Sequence, residues 1–220
     1  MAQVDYWRQL GLFPPRRFKK PITVIGAGAT GSYIAYMLAK MGCRDITVCD
    51  FDIVEDYNLP NQMFGLRDIG SKKTEAMSRI IKEQTGTQIK TVCKAINKAK
   101  LKGIVFVLTD TMKSRKGIWL SSLKNKKGVE LVIETRMGID NGRIYTIVPT
   151  DKKQIKFYES TLYSDKEAQP SPCTRTAIAP TVATIGGMAI FNLINFFNGK
   201  SYPYEILLSL DPCMVISRKY

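Results

Sequence analysis

Ile22-Thr23-Val24-Ile25-Gly26-Ala27-Gly28-Ala29-Thr30-Gly31 is the segment on which the architecture turns. Four β-branched residues read as a short buried strand, and the glycines that follow punctuate it. An apolar-periodic stretch from Ser32 to Lys40 then reads as a helix. Glycines at Gly26, Gly28 and Gly31 permit a tight turn and close backbone approach, and the helix start offers N–H groups to a phosphate. A second strand, Asp45 to Cys49, is followed by Asp50, nineteen residues after Gly31. There a carboxylate can accept from ribose hydroxyls. Strand, turn, helix, strand and acid in register predict a nucleotide site, without separating a dinucleotide from ATP. A purely structural turn is the bland alternative.

The same alternation continues along the chain. Helical spacing runs from Lys72 to Gln84 through Ala76, Ile80 and Ile81. Strands are expected at Thr87 to Val92, Gly103 to Leu108 and Glu130 to Glu134, with a helix from Ser114 to Lys124. This order predicts an α/β fold, a Rossmann-like doubly wound and mainly parallel sheet. After Pro149 the pattern loosens. Residues 151–180 read as a polar crossover loop containing Cys173, and a helix returns from Thr181 to Phe197. The segment EILLSLDPCMVIS reads as two strands around a turn, a C-terminal antiparallel extension. The chain is thus expected to be one domain over 1–220: an arm (1–20), a nucleotide-binding core (21–150), the loop (151–180), and a closing helix with strands (181–220).

The 220 residues contain no histidine, 33 Lys+Arg and 19 Asp+Glu, for a formal charge of +14. Without imidazole, Ser-His-Asp hydrolysis, Cys-His proteolysis and His-ligated zinc catalysis are removed. A hydrophobic content of 45% fits a globular chain. None of the five cysteines forms a C-x-x-C pair, so no zinc is expected. The N-terminus has no apolar core of a signal peptide, and the apolar stretch from Ile178 to Phe197 is interrupted by Pro180, Thr181, Asn192 and Asn195. A soluble cytoplasmic protein with no membrane partner is expected. The charge itself asks for an acidic partner.

Beyond Asp50 the chain departs from ordinary dehydrogenases. The run from Asp50 to Gln62, DFDIVEDYNLPNQ, resembles the D-x-D-x-V-x-x-x-N-L-x-R-Q signature of the ThiF/MoeB and ubiquitin-activating enzyme family. Gly70-Ser71-Lys72-Lys73 is similar to its G-x-x-K helix entry, and Thr109-Asp110 with Arg115 to its T-D-N-x-x-x-R turn. Tyr6-Trp7-Arg8-Gln9 looks like the R-Y-x-R-Q segment before the first strand. The resemblance implies ATP- and Mg2+-dependent adenylation of the C-terminal carboxylate of a small ubiquitin-like or sulfur-carrier protein. It further implies that Gly26, Gly28, Gly31, Asp50, Asp52, Asn58 and Arg115 surround the nucleotide. Lys73 would neutralise the triphosphate, with Lys72 the alternative if the register slips by one. Asp110 would hold magnesium. Arg8 would be an arginine finger reaching a neighbouring subunit, so a homodimer is implied. The signature arginine is replaced by Asn61, with Arg67 as a nearby substitute.

Pro172-Cys173-Thr174-Arg175 resembles the C-T element carrying the thioester cysteine of ubiquitin-activating enzymes. The resemblance implies that Cys173 attacks the adenylate; Arg175 would favour its thiolate. Three other readings stand beside this one. Relatives in the same family activate a carboxylate on modified tRNA, and the basic clusters at Arg16–Lys20, Lys98–Lys102 and Lys124–Lys127 suit phosphate. A nicotinamide-dependent dehydrogenase explains the glycine turn but not Asn58, Lys73 and Asp110 with Arg115. A non-catalytic partner subunit is compatible with Asn61.

Overall fold

Runs of β-branched and other apolar residues build one eight-stranded sheet whose central strands are covered on both faces, while the last strand, at one edge, is exposed throughout. In the computed structural model, residues 4–164 and 177–219 are described. Strands β1 (Ile22–Ile25), β2 (Ile46–Cys49), β3 (Lys90–Val92), β4 (Gly103–Val107) and β5 (Val129–Met137) are parallel. Strands β6 (Asn141–Ile147), β7 (Glu205–Leu210) and β8 (Cys213–Arg218) continue the sheet antiparallel. The order is β3-β2-β1-β4-β5-β6-β7-β8. Successive residues of β4 divide between two cores, Ile104 and Phe106 on one face and Val105 and Val107 on the other. This two-residue period is why a fully buried parallel strand reads as a continuous apolar run.

Helices α1 (Ala29–Lys40), α2 (Lys73–Thr85) and α5 (Ala179–Phe197) cover the first face. Helices α3 (Met112–Ile118) and α4 (Lys152–Ser160), with a π-helical turn at Trp119–Leu123, cover the second. Helix α5 is 19 residues long with a mean hydropathy of 1.4, enough by length and composition to cross a bilayer, and half of it is buried inside this fold. Gly186 brings it against α1; a Cβ there would lie 3.0 Å from the Met37 Cε.

Two expectations need correction. The first part of the presumed crossover loop, residues 152–160, is helix α4. Asp151 caps it, accepting from the N–H groups of Lys153 (2.8 Å) and Gln154 (3.0 Å). Its polar composition disguised an amphipathic helix that buries only Ile155 and Tyr158, three residues apart. The antiparallel section also begins earlier than the C-terminal strands, at β6. Smaller shifts affect element ends: β3 is shorter than expected, β5 runs on to Met137, and α3 ends in the π turn.

The arm before β1 packs beneath the sheet at the C-terminal end of α1. Gln9 Nε2 donates to the Met41 carbonyl at 2.7 Å. Phe13 and Phe18 join Phe197 of α5 in an aromatic group with centroids 5.3–5.4 Å apart. Phe13 is only 1% exposed. Phe13→Ala should therefore destabilise the chain by about 3–5 kcal/mol, read as a lower urea midpoint.

Candidate functional site

Neighbouring strands β1 and β4 send their crossovers to opposite faces of the sheet, so a crevice opens beyond their C-terminal ends. The glycine turn forms one lip and Leu108-Thr109-Asp110 the other. Gly26 has φ +96°, and a Cβ there would stand 2.6 Å from the Leu108 carbonyl oxygen; a Cβ on Gly31 would stand 1.9 Å from that of Gly26. Both glycines are demanded by the protein's own packing. Gly28 is different: a Cβ there meets nothing within 4 Å. It is the N-cap of α1, has no side chain to cap the helix, and no acidic residue follows in the first turn. The Gly26 N–H is taken by the Cys49 carbonyl and that of Ala27 by Asp50, so it is the N–H groups from Gly28 into the first turn of this 12-residue helix, with its positive end, that are offered to an anion.

Asp50 binds this turn to β2. Its Oδ2 accepts from the Ala27 N–H at 2.6 Å, and its Oδ1 from the Asp52 N–H at 2.8 Å. Each oxygen keeps acceptor capacity for a further donor. The strip after Asp50 is zipped to the entry of α2 by Val54 N–H to the Ser71 carbonyl (2.8 Å) and Lys73 N–H to the Asp52 carbonyl (3.0 Å). This pairing separates the two lysines. Lys72 lies outside against Glu75 at 3.0 Å, whereas Lys73 is 7% exposed with its Nζ 3.3 Å from Asp52. Asn58 is buried, and its Oδ1 accepts from the Glu55 N–H at 3.0 Å. Gln62 Oε1, Thr74 Oγ1 and Thr109 Oγ1 are buried without a hydrogen-bond partner, and all three belong to segments framing the crevice. Folded proteins leave few such groups unpaired unless a ligand or solvent meets them.

Asp110 is exposed at the far lip. One carboxylate beside polyphosphate oxygens is a donor set that magnesium accepts, so this residue fits that ion. No group of three or more Cys, Asp or Glu gathers as a metal cage among the described residues.

Arg115 is placed differently from its nucleotide-facing expectation. It is 7% exposed and turned inward, donating to the Thr135 carbonyl at 2.8 Å and to the Thr109 carbonyl, with its Nη1 3.1 Å from Glu134. Glu134 is 0% exposed, pairs with Arg136 at 2.5 Å, and accepts from the Tyr158 hydroxyl. Burial, reinforced by Glu134, pushes the Tyr158 hydroxyl well above its ordinary pKa, so it stays a donor. For Arg136, burial opposes the charge, but the Glu134 carboxylate outweighs it and the net shift is upward. On the opposite face of β5, Thr135 Oγ1 lies 3.1 Å from Thr30 Oγ1 in the first turn of α1. Arg115 thus holds the turn carrying Asp110 rather than facing a ligand itself. Glu134 and Arg136 were not singled out from the sequence. The available signal was an acid closing a buried strand, with an arginine two residues on and therefore on the same face.

The remaining candidates fall elsewhere. Arg8 is exposed in a short 3-10 turn, its guanidinium 5.4 Å from the Trp7 ring centroid. The arm docks at the far end of α1, about 18 Å from the glycine turn for a helix of this length. Asn61 Nδ2 donates to the Ala177 carbonyl at 2.8 Å, and Arg67 pairs with Glu83 on the surface. Cys173 and Arg175 lie outside the described residues. Burial pushes the Cys43 thiol up to about 12; burial, then the Asp50 charge, takes Cys49 to about 11, which leaves both inert. Cys93 and Cys213 are exposed.

The inward cluster is testable through stability. Glu134→Ala leaves the buried Arg115 and the half-buried Arg136 without their counter-charge and should cost about 3–5 kcal/mol, measured by urea unfolding.

Comparison with known proteins places this arrangement. The model of the ThiF family matches residues 16–214. "ATP-dependent ubiquitin transferase-like protein Cap2" of Pseudomonas aeruginosa is 30% identical over 106 residues, 46% of this chain and 20% of that protein. "tRNA threonylcarbamoyladenosine dehydratase 2" of Saccharomyces cerevisiae is 38% identical over 63 residues, 28% of this chain and 14% of that protein. The chain therefore matches a fifth or less of the length of these relatives. Among solved structures, E. coli MccB, in a crystal with AMPCPP and MccA, superposes with a TM-score of 0.68 at 19% identity, covering 91% of this chain and 64% of that one, a likeness of fold. With the family model spanning nearly its whole length, and the strand order and glycine turn in place, the chain belongs to the ThiF family.

Proposed function

We propose that the crevice adenylates a carboxylate with ATP. The observation that carries this reading is that two features are tied to the same strip after β2. One is a glycine turn opening a helix, α1, whose start at Gly28 has no side-chain cap; the other is a lysine, Lys73, buried beside the Asp50–Asp52 strip. A carboxylate is already a nucleophile at neutral pH, so no histidine base is needed. Its oxygen attacks the α-phosphorus, the bond to the bridging oxygen breaks, and pyrophosphate leaves. The work left for the protein is positioning and neutralising charge.

In this scheme the N–H groups around Gly28 cradle the phosphates, Asp50 accepts from the ribose, and Asn58 orients the nucleotide. Lys73 supplies a localised cation to the triphosphate. Asp110 would hold magnesium, which supplies charge neutralisation when bound. Arg8 cannot reach the crevice of its own chain from its place on the arm, which supports a trans role in a homodimer. The acceptor is a small ubiquitin-like or sulfur-carrier protein, a class supported by the likeness to Cap2. The likeness to the yeast dehydratase supports a second reading, a carboxylate on modified tRNA. A further step at Cys173 completes the proposal. Its thiolate attacks the acyl carbon of the adenylate, the acyl–oxygen bond breaks, AMP departs, and a thioester remains.

ATP–pyrophosphate exchange tests this, run with candidate carrier proteins and separately with tRNA. Lys73→Ala and Asp110→Ala should each lower exchange by about a hundredfold or more, and Cys173→Ala should leave it intact while removing a thiol-sensitive conjugate. Exchange that survives Lys73→Ala would refute the assignment of that lysine.

The glycines give an independent check. Gly28→Ala should keep the melting temperature within about 2 °C yet weaken ATP binding about tenfold, because the new methyl group enters only ligand space. Gly31→Ala should lower the melting temperature by several degrees, because its Cβ collides with the turn itself.

A further inference from the structure

The five parallel strands all start at one edge of the sheet, and the segments that lead into them carry a large share of the chain's uncompensated positive charge. Lys19 and Lys20 precede β1, Arg44 precedes β2, Lys98, Lys100 and Lys102 precede β4, and Lys126 and Lys127 precede β5. Two concavities open on this edge. One, of about 420 Å³, is lined by Arg16, Lys19, Lys20 and Arg44 together with Tyr6 and Phe18. Its acid, Asp45, is already paired with Lys90 at 2.8 Å. The other, of about 610 Å³, is lined by Lys98, Lys100, Lys126 and Lys127 with Ser121 and Asn125, and contains no acid. Lys20 pairs with Glu130; for the other cations of the two concavities no salt bridge is found among the described residues.

The second groove is built rather than merely exposed. The non-glycine residues with positive φ among those described are Lys98 (51°) and Asn125 (58°), and both line it. Its wall is the π turn Trp119–Leu123, which presents Ser121 and Ser122 to accept from the Lys98 N–H (3.3 Å) and the Ala99 N–H (3.0 Å). Disfavoured backbone and like charges without counter-ions both oppose folding, and both are concentrated here.

We propose that this edge docks the phosphodiester backbone of a nucleic acid. The grooves sit at the starts of the adjacent strands β2-β1 and β4-β5, roughly 14 Å apart along the sheet, the first toward the face covered by α1 and the second toward the face covered by the π turn, so that a nucleic acid crosses the strand starts to meet both. Successive phosphates of one strand can follow that span. Lysine ammonium groups, rotatable point charges, suit phosphates met without base reading. A bilayer surface would need a cluster of exposed apolar side chains to insert, and near the grooves only Val4 in the first lining and Leu120 in the π turn are exposed, with Leu101 half-buried. The crevice lies at the other end of the same strands, roughly 13–17 Å away for four or five residues. The docked nucleic acid is therefore held apart from the reacting groups, and the proposal does not rest on the adenylation reading.

Fluorescence anisotropy with a labelled oligonucleotide of about 20 nucleotides, as RNA and as DNA, tests it on the full chain. Binding should weaken between about 50 and 200 mM salt with a log–log slope of about −3 to −5. Lys100→Glu with Lys126→Glu should weaken it at least about tenfold and reduce the slope by about 2. Lys94→Glu with Arg143→Glu, exposed cations outside both grooves, should leave it within about twofold. Circular dichroism checks that both double variants fold. Lys73→Ala should bind the oligonucleotide as the unmodified chain does even when exchange is lost, which separates this proposal from the preceding one. Equal weakening by the two double variants, absence of binding at low salt, or preferred binding to polyglutamate or phosphatidylserine vesicles overturns it.

Discussion

A carboxylate with no contact to solvent, Glu134, is the constraint around which the crevice is organised. Buried charge is tolerable only when paired and hydrogen-bonded, and Glu134 meets that condition through Arg115, Arg136 and Tyr158. Those partners come from α3, β5 and α4, so a single electrostatic requirement joins the elements covering the second face. Arg115 then extends the tie to the Thr109 carbonyl, which sets the lip bearing Asp110. The Thr30–Thr135 contact does the same for the opposite lip through the sheet. The two sides of the crevice are thus referred to one strand, β5.

The ends of the parallel strands handle negative charge in different ways. At their C-terminal ends, anion recognition would use backbone: the helix start at Gly28, a helix dipole, and close approach allowed by glycine. There the cation that contributes is single and buried. At their N-terminal ends, recognition would use long side chains over two open grooves. The first arrangement suits a compact ligand held in one orientation, the second an extended ligand held in many. The charge of +14 is far more than a triphosphate site needs, and its placement on the opposite edge gives the excess a physical address.

The glycine turn, the acid after β2 and the alternation of elements were legible because each is a local pattern: backbone freedom, a two-residue period, a 3.6-residue period. Lys73 was legible only to within one residue. The pairing of Asp52 with Lys73 along the chain settles which lysine is buried. Helix α4 was lost because its polar composition outweighed two buried residues and a capping aspartate. Strand β6 follows β5 after only Gly138-Ile139-Asp140 and pairs with it as a hairpin; the turn residues Gly138 and Asp140-Asn141-Gly142 were the local signal, and the alternation of parallel strands with helices masked it. Arg115 sits where a linear pattern groups it with the nucleotide residues, yet Glu134 draws it inward. No window of sequence contains that attraction.

The amino-acid order alone therefore accounts for the parallel core, the glycine turn and the absence of imidazole chemistry, since these follow from residue type and near-neighbour spacing. Tertiary packing settled which lysine is buried and where Arg115 points. It also placed Arg8 beyond reach of its own crevice and brought four separate lysines into one groove. Each of these depends on contacts between segments tens of residues apart, where desolvation and pairing of charge, rather than local conformational preference, select the arrangement.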